Sequence, residues 1–141
     1  MHLNFITLSG QIVDEDVFEV IVPTIAGDIS INDGHAPLLG EVAPGIMEVR
    51  KKRGDKDGER QEYGVYEGTV EVLENTVHVL VDDVDNPEDV SESEAKAALE
   101  RAQKLIDTAK DAVSLSEAQS MMDRQAVRLK LATLRKRSKR R

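Results

Sequence analysis

At 141 residues the chain can bury roughly two-thirds of its unfolded surface, so one or two compact units need no metal or disulfide to hold them. Cysteine is absent, which excludes disulfide frameworks, thiolate metal sites and cysteine nucleophiles and fits a reducing compartment. The net charge of −8 hides a segregation: Arg124, Arg128, Lys130, Arg135, Lys136, Arg137, Lys139, Arg140 and Arg141 all follow the last acid, Asp123, so a strongly acidic body ends in a cationic arm. Such an arm favours an anionic partner, whether nucleic acid, lipid headgroups or an acidic protein surface, or folds back on its own body. No apolar run approaches the ~20 residues of a membrane helix, and Met1-His2-Leu3-Asn4 lacks the pattern of a signal peptide.

From residue 3 to about residue 85 the text reads as short strands between turns. Residues 3–8 form a first strand closed by Ser9-Gly10; Phe18 to Val22 form a second, ended by Pro23, which cannot donate to a ladder. Ile29 and Ile31 alternate with Asp28 and Ser30, and Asn32-Asp33-Gly34 supplies a turn before His35-Ala36-Pro37-Leu38. Pro44-Gly45 marks another turn, followed by alternating Met47 and Val49. Residues 51–62 contain no apolar side chain and read as an exposed, solvated hairpin tip. Val70 and Val72, a turn at Glu74-Asn75, and Val77, Val79 and Val81 make a hairpin with one apolar face. Regularly spaced short strands with no helical period between them predict a β-sandwich rather than a parallel sheet.

The period changes after Asn86-Pro87. Ser91-Glu92-Ser93-Glu94 reads as a capping box, and Ala95, Leu99, Ala102, Leu105, Ile106, Ala109 and Val113 give one apolar stripe on a helix reaching about residue 111. Ser114-Leu115-Ser116-Glu117 repeats the cap pattern ahead of a second helix carrying Ala118, Met122, Ala126 and Leu129, and the two make an antiparallel helical hairpin. Domains are expected over 1–86 (sandwich) and 87–141 (helices). An alanine-rich seam packs closely but contributes less than leucine at about 0.8 kcal/mol per buried CH₂. These helices could persist if separated, or could simply be an ordinary small-residue pair.

Little in the sequence points to chemistry. His2, His35 and His78 lack metal-ligand spacing, and Asp33 with His35 reads as turn residues before an acid/base pair. No GxSxG, phosphate-binding loop or GxGxxG occurs. No enzyme, cofactor or metal is expected. The basic arm leaves open a second reading, a soluble sandwich protein binding nucleic acid. Against it stand the acidic body and an arm without aromatics.

The run Gly27-Asp28-Ile29-Ser30-Ile31-Asn32-Asp33-Gly34-His35-Ala36-Pro37-Leu38-Leu39, with Pro44-Gly45 and the Val70 to Val79 hairpin, resembles the signature of the epsilon subunit of the rotary, F-type ATP synthases. The resemblance covers essentially the whole chain and implies an all-β N-terminal sandwich followed by a C-terminal antiparallel helical hairpin. It further implies a non-catalytic part of the central rotor, coupling proton-driven rotation to ATP synthesis. By position, Ala26, Gly27, Asp28 and Ile29 are expected to face the membrane rotor c-ring, and His35, Ala36, Pro37 and Leu38 the gamma subunit. The helices are expected to regulate: extended into the catalytic head of alpha and beta subunits, they set Arg124, Arg128, Lys130, Arg135, Lys136 and Arg137 against an acidic stretch of beta and inhibit ATP hydrolysis. ATP-binding members carry an (Ile/Leu)-Asp-x-x-Arg-Ala motif at the first helix; here Ser91 and Glu94 replace the Asp and Arg, and no ATP binding is expected. Localisation is expected at the cytoplasmic face of a bacterial plasma membrane, held through partners without insertion, and no nucleic acid is bound.

Overall fold

The computed structural model describes residues 1–140 and divides into two compact units, Met1–Asp85 and Asn86–Arg141. Arg141, the last cation of the arm, lies outside the described residues.

The first unit is all β. Its strands are β1 (His2–Thr7), β2 (Gly10–Asp16), β3 (Glu19–Thr24), β4 (Gly27–Asn32), β5 (Leu38–Val42), β6 (Gly45–Arg50), β7 (Gln61–Val65), β8 (Gly68–Leu73), β9 (Thr76–Val81) and the short β10 (Val84–Asp85). Alternation decides which face each strand buries: Leu3, Phe5 and Thr7 point inward from β1, Val70 and Val72 from β8, and Val77, Val79 and Val81 from β9. The sandwich arises at β3. Its Glu19, Val20 and Ile21 pair with β6, while at its other end Thr24, which also pairs with Gly27 of β4, makes the single pairing to β5, with Val42. One layer is therefore β4-β3-β6-β7-β10 and the other β5-β8-β9-β1-β2, joined through Thr24. Leu3, Phe5, Ile31, Met47 and a set of valines fill the space between, with the Phe5 ring edge-on to Tyr63 at 5.4 Å.

Three details depart from the sequence reading. A strand over Gly10–Asp16 was not expected, because its acid-rich text buries only Val13 and signals no alternation. Pairing is antiparallel except between β1 and β9, where the first strand lies parallel to the last long one. The 51–62 stretch is the exposed tip of the β6–β7 hairpin, as expected, but it carries more order than a solvated loop requires: residues 61 and 62 belong to β7, a single 3-10 turn spans Asp57–Glu59, and Arg60 donates to Glu48 at 2.7 Å.

The second unit pairs α1 (Glu92–Thr108) with α2 (Ala112–Lys139). Ser91 caps α1 by accepting the Glu94 N–H at 3.4 Å, as its position predicts. The cap of α2 differs from expectation. Asp111, not Ser114, accepts an N–H, that of Ser114 at 2.7 Å, and this bond holds the Asp111 carboxyl below its ordinary pKa. α2 consequently begins before Val113, which leaves the α1 stripe and is 68% exposed. A carboxylate at the helix start has the favourable sign for the helix dipole, which the serine would lack. Arg135 near the end of α2 donates to the Pro87 and Glu88 carbonyls, and Lys136 pairs with Glu92, so the helices run antiparallel.

Candidate partner-binding surfaces

The residues singled out in the signature do not share one rim. β4 separates them: Ala26, Gly27 and Asp28 lie at its start, whereas the turn leading to His35 follows its end. Six strand residues span about 20 Å, so the signature supplies two surfaces at opposite ends of the sandwich.

At the first end, Ile25 and Ala26 form the two-residue loop between β3 and β4, closed by the Thr24–Gly27 pair. Thr24 fixes this loop, its hydroxyl donating to the Gly27 carbonyl at 2.6 Å and accepting the Ala26 N–H at 3.2 Å. Gly27 has φ +111°, a conformation that favours glycine. The loop thereby holds Ile25 71% exposed, and Leu39 of β5 is 75% exposed. Both line an open groove of about 720 Å³ with Val42, Pro44, Gly68 and Asp82. Asp28 is exposed and Ile29 half-buried against the core.

At the other end the 32–35 turn is clamped by Asn75. This residue sits in the β8–β9 turn at φ +60°; its side-chain oxygen accepts the Gly34 N–H at 2.9 Å, and its amide donates to Asp33 at 2.6 Å. That bond, with the Met1 amino group 3.2 Å away, depresses the Asp33 pKa. Asp33 is thus engaged in holding the turn. His35 is half-buried, and its Nδ1 lies 2.7 Å from the Ala36 carbonyl, which can only accept, so Nδ1 carries the proton. Ala36 and Pro37 are exposed, while Leu38 packs partly on the core.

The six basic residues assigned to α2 likewise fail to form one face. At about 100° per residue, Arg124, Arg128 and Arg135 cluster near buried Leu131, and all three are half-buried. Lys130 and Arg137 point the opposite way and are exposed, with Lys136 between the two groups and paired to Glu92. Neither Arg124 nor Arg128 is without a partner. Only Lys130 and Arg137 combine full exposure with a shared direction, which narrows the electrostatic surface the helix offers in this arrangement.

Sequence reasoning missed Ile25, Leu39 and Asn75. An isoleucine inside a two-residue hairpin loop is a signal that could have been found, since loops rarely hold a large aliphatic side chain without a partner. The clamping role of Asn75 could not, because it depends on a contact across more than 40 residues.

The sandwich thus offers outward aliphatic side chains beside a locked hairpin loop at one end and a turn pinned by Asn75 at the other. Comparison makes the class specific. The family model described as the beta-sandwich domain of the ATP synthase Delta/Epsilon chain matches residues 1–87. The chain is 32% identical to the ATP synthase epsilon chain of Solibacter usitatus, over 94% of each chain. To that of Chloroflexus aggregans it is 30% identical, over 96% of this chain and 94% of the other. Its fold is similar to a chain of the Euglena gracilis mitochondrial ATP synthase structure of OSCP, F1 and c-ring, with TM-score 0.82 at 19% identity, covering 94% of this chain and 81% of that one. A central stalk and c-ring structure from Tetrahymena thermophila gives TM-score 0.64 at 15% identity, covering 92% and 94%. The chain belongs to the ATP synthase delta/epsilon family, as an epsilon chain, a non-catalytic subunit of the ATP synthase. The nucleic-acid reading of the arm gives way to this membership.

Proposed function

We propose that the sandwich grips the gamma subunit near His35, Ala36, Pro37 and Leu38 and rests on the membrane c-ring through Ala26, Gly27, Asp28 and Ile29, transmitting rotation between them. The observation that carries this reading is Ile25, held 71% exposed by the Thr24 lock beside those ring-facing residues. An aliphatic side chain fixed outward has its hydration cost offset only when a partner covers it. The membrane in question is the bacterial plasma membrane, met from its cytoplasmic face through the complex; no helix among the described residues is long and apolar enough to cross it.

The experiment is reconstitution of the complex with Ile25→Asp/Asp28→Arg. ATP-driven proton pumping falls severalfold while ATP hydrolysis continues; pumping at the wild-type rate would refute the ring contact. His35→Ala weakens co-purification with gamma. The helices are proposed to restrain hydrolysis by meeting an acidic stretch of the beta subunit when they extend. Truncation after Asp89 should then raise ATP hydrolysis without loss of assembly, and an unchanged rate would remove the regulatory role. Calorimetric titration of the isolated chain with MgATP gives no heat of binding, because Glu94 would set a carboxylate against the phosphates.

A further inference from the structure

The segment proposed to meet the gamma subunit, His35-Ala36-Pro37, lies outside every strand, yet one hairpin holds it at both ends. Downstream, Leu38 opens β5 and pairs with Val72 of β8. Upstream, the 32–35 turn is closed by the His35 N–H on the Asn32 carbonyl at 3.1 Å, with Gly34 at φ +77°, and it meets Asn75 between β8 and β9. Three residues therefore bridge two anchors, and Pro37 further limits their backbone. Asn75 answers three demands at once. Its φ of +60° is a conformation that asparagine tolerates better than most residues with a side chain. The Gly34 N–H can only donate, and the ionised Asp33 carboxylate can only accept, so the residue between them must offer an acceptor and a donor. A side-chain amide supplies both, at 2.9 and 2.6 Å. The Asn75 carbonyl also accepts the His2 N–H at 3.1 Å, which fastens the same turn to β1.

We propose that Asn75 is a positioning residue for partner binding: by locking the 32–35 turn it holds His35-Ala36-Pro37 in the conformation that the gamma subunit binds. This rests on the gamma contact proposed for that segment. Asp33, Gly34 and Asn75 are all exposed. Hydrogen bonds exchanged against water at such a surface add little to global stability. What they restrict is the local freedom of the turn. Ordering a loop during association is subtracted from the affinity, and a loop ordered beforehand escapes that cost. Asn75 thus acts on binding through the backbone of its neighbours. The His35 ring is set in the same way, its Nδ1 donating to the Ala36 carbonyl at 2.7 Å, so a change in the turn reaches both the main chain and the imidazole of the bridge.

The test measures the affinity of the full chain for ATP synthase complex depleted of its epsilon subunit, beside the melting profile of each variant. Asn75→Gly keeps the positive φ but removes both side-chain bonds, and raises the Kd about tenfold with little change in melting. Asn75→Asp, which sets two carboxylates together, weakens binding at least as much. The exchange Asn75→Asp/Asp33→Asn restores it, since the new amide at 33 donates to the new carboxylate at 75, which still accepts the Gly34 N–H. Asn75→Gly added to His35→Ala costs less than Asn75→Gly alone, because the two act through one segment. Wild-type affinity for Asn75→Gly, where His35→Ala weakens binding, overturns the positioning role and leaves the gamma contact standing. No effect of His35→Ala removes the gamma contact, and the positioning role falls with it. Strict additivity of the two substitutions would make Asn75 an independent contact, and an exchange variant as weak as Asn75→Asp would remove the hydrogen-bonded basis; either result overturns the proposal. So does a loss of affinity that tracks a falling melting temperature across the set, which would make the junction merely structural.

Discussion

The two units of this chain bury different kinds of surface by different means. In Met1–Asp85 the interior is built of Leu3, Phe5, Ile31, Met47 and valines on strands that find each other across long sequence separations. In Asn86–Arg141 the buried helix positions are Ala95, Ala102, Ala118 and Ala132, with only Val127 and Leu131 as larger aliphatics. At roughly 25 cal/mol per Å² of apolar area, the helical seam contributes far less per ordered residue. A strand, however, has no hydrogen bonds without its neighbours, while a helix satisfies its own backbone. The sandwich is therefore the more strongly cross-braced unit, and the helical pair is held by a thinner apolar seam.

The largest effect is expected from emptying the sandwich core. Phe5→Ala removes a fully buried ring that also packs edge-on against Tyr63. A loss of about 3–5 kcal/mol is expected in urea denaturation. A loss below about 1 kcal/mol would mean that the sandwich does not depend on this core. Next in size is Gly68→Ala: the added methyl collides with the Leu80 carbonyl and sits 2.8 Å from the Val81 Cα, both backbone atoms of the paired strand. Backbone yields less easily than a side chain, so about 1–3 kcal/mol is expected in the same assay.

For the helices the effects are smaller and more local. Asp111→Ala removes the α2 cap and costs about 1 kcal/mol. Because the unit is held mainly by local terms, amide hydrogen exchange should quicken in the first turn of α2 and leave β1 and β9 protected. Equal acceleration in the sandwich would show the two units to be one cooperative block, and the contrast drawn above would fail.

How much of this was legible depended on whether the information was local. Strand alternation at β1, β8 and β9, and the Ser91 cap, follow from neighbouring residues and were readable. The Asp111 cap was hidden behind a more familiar Ser-x-x-Glu text at Ser114, whose serine lacks the charge that favours a helix start. β2 was hidden because edge strands with one buried residue show no alternation. The apparent single signature at 27–39 divides between two ends only because β4 intervenes as a whole strand, and the order of residues 51–60 depends on Glu19 and Glu48, which sequence proximity cannot associate with Arg60. Contacts of that range are set by topology.

The smallest expected effect distinguishes the units by sign. His2 on β1 places Nδ1 2.8 Å from Asp16 and Nε2 2.6 Å from Asp14, both on β2. Carboxylates only accept, so the two contacts together favour the imidazolium, in which both ring nitrogens donate. The hydrogen bond to Asp16, then that to Asp14, raises the His2 pKa above the ordinary 6.5. A raised pKa contributes stability that is complete below the unfolded value and disappears as pH rises through the folded one, so the β1–β2 edge loosens slightly on going alkaline. In the helical unit Glu92 has its pKa lowered, chiefly by Lys136. Its contribution is present above the unfolded value and is lost as pH falls through the folded one. Between these windows neither group changes. An NMR titration should find His2 titrating above the ordinary imidazole range in the wild type and closer to it in Asp14→Asn/Asp16→Asn, while α1 and α2 amides remain unmoved over the same interval. If the helical amides moved with His2, the pH response would belong to the whole chain, and the separation of the units by their chemistry would be lost.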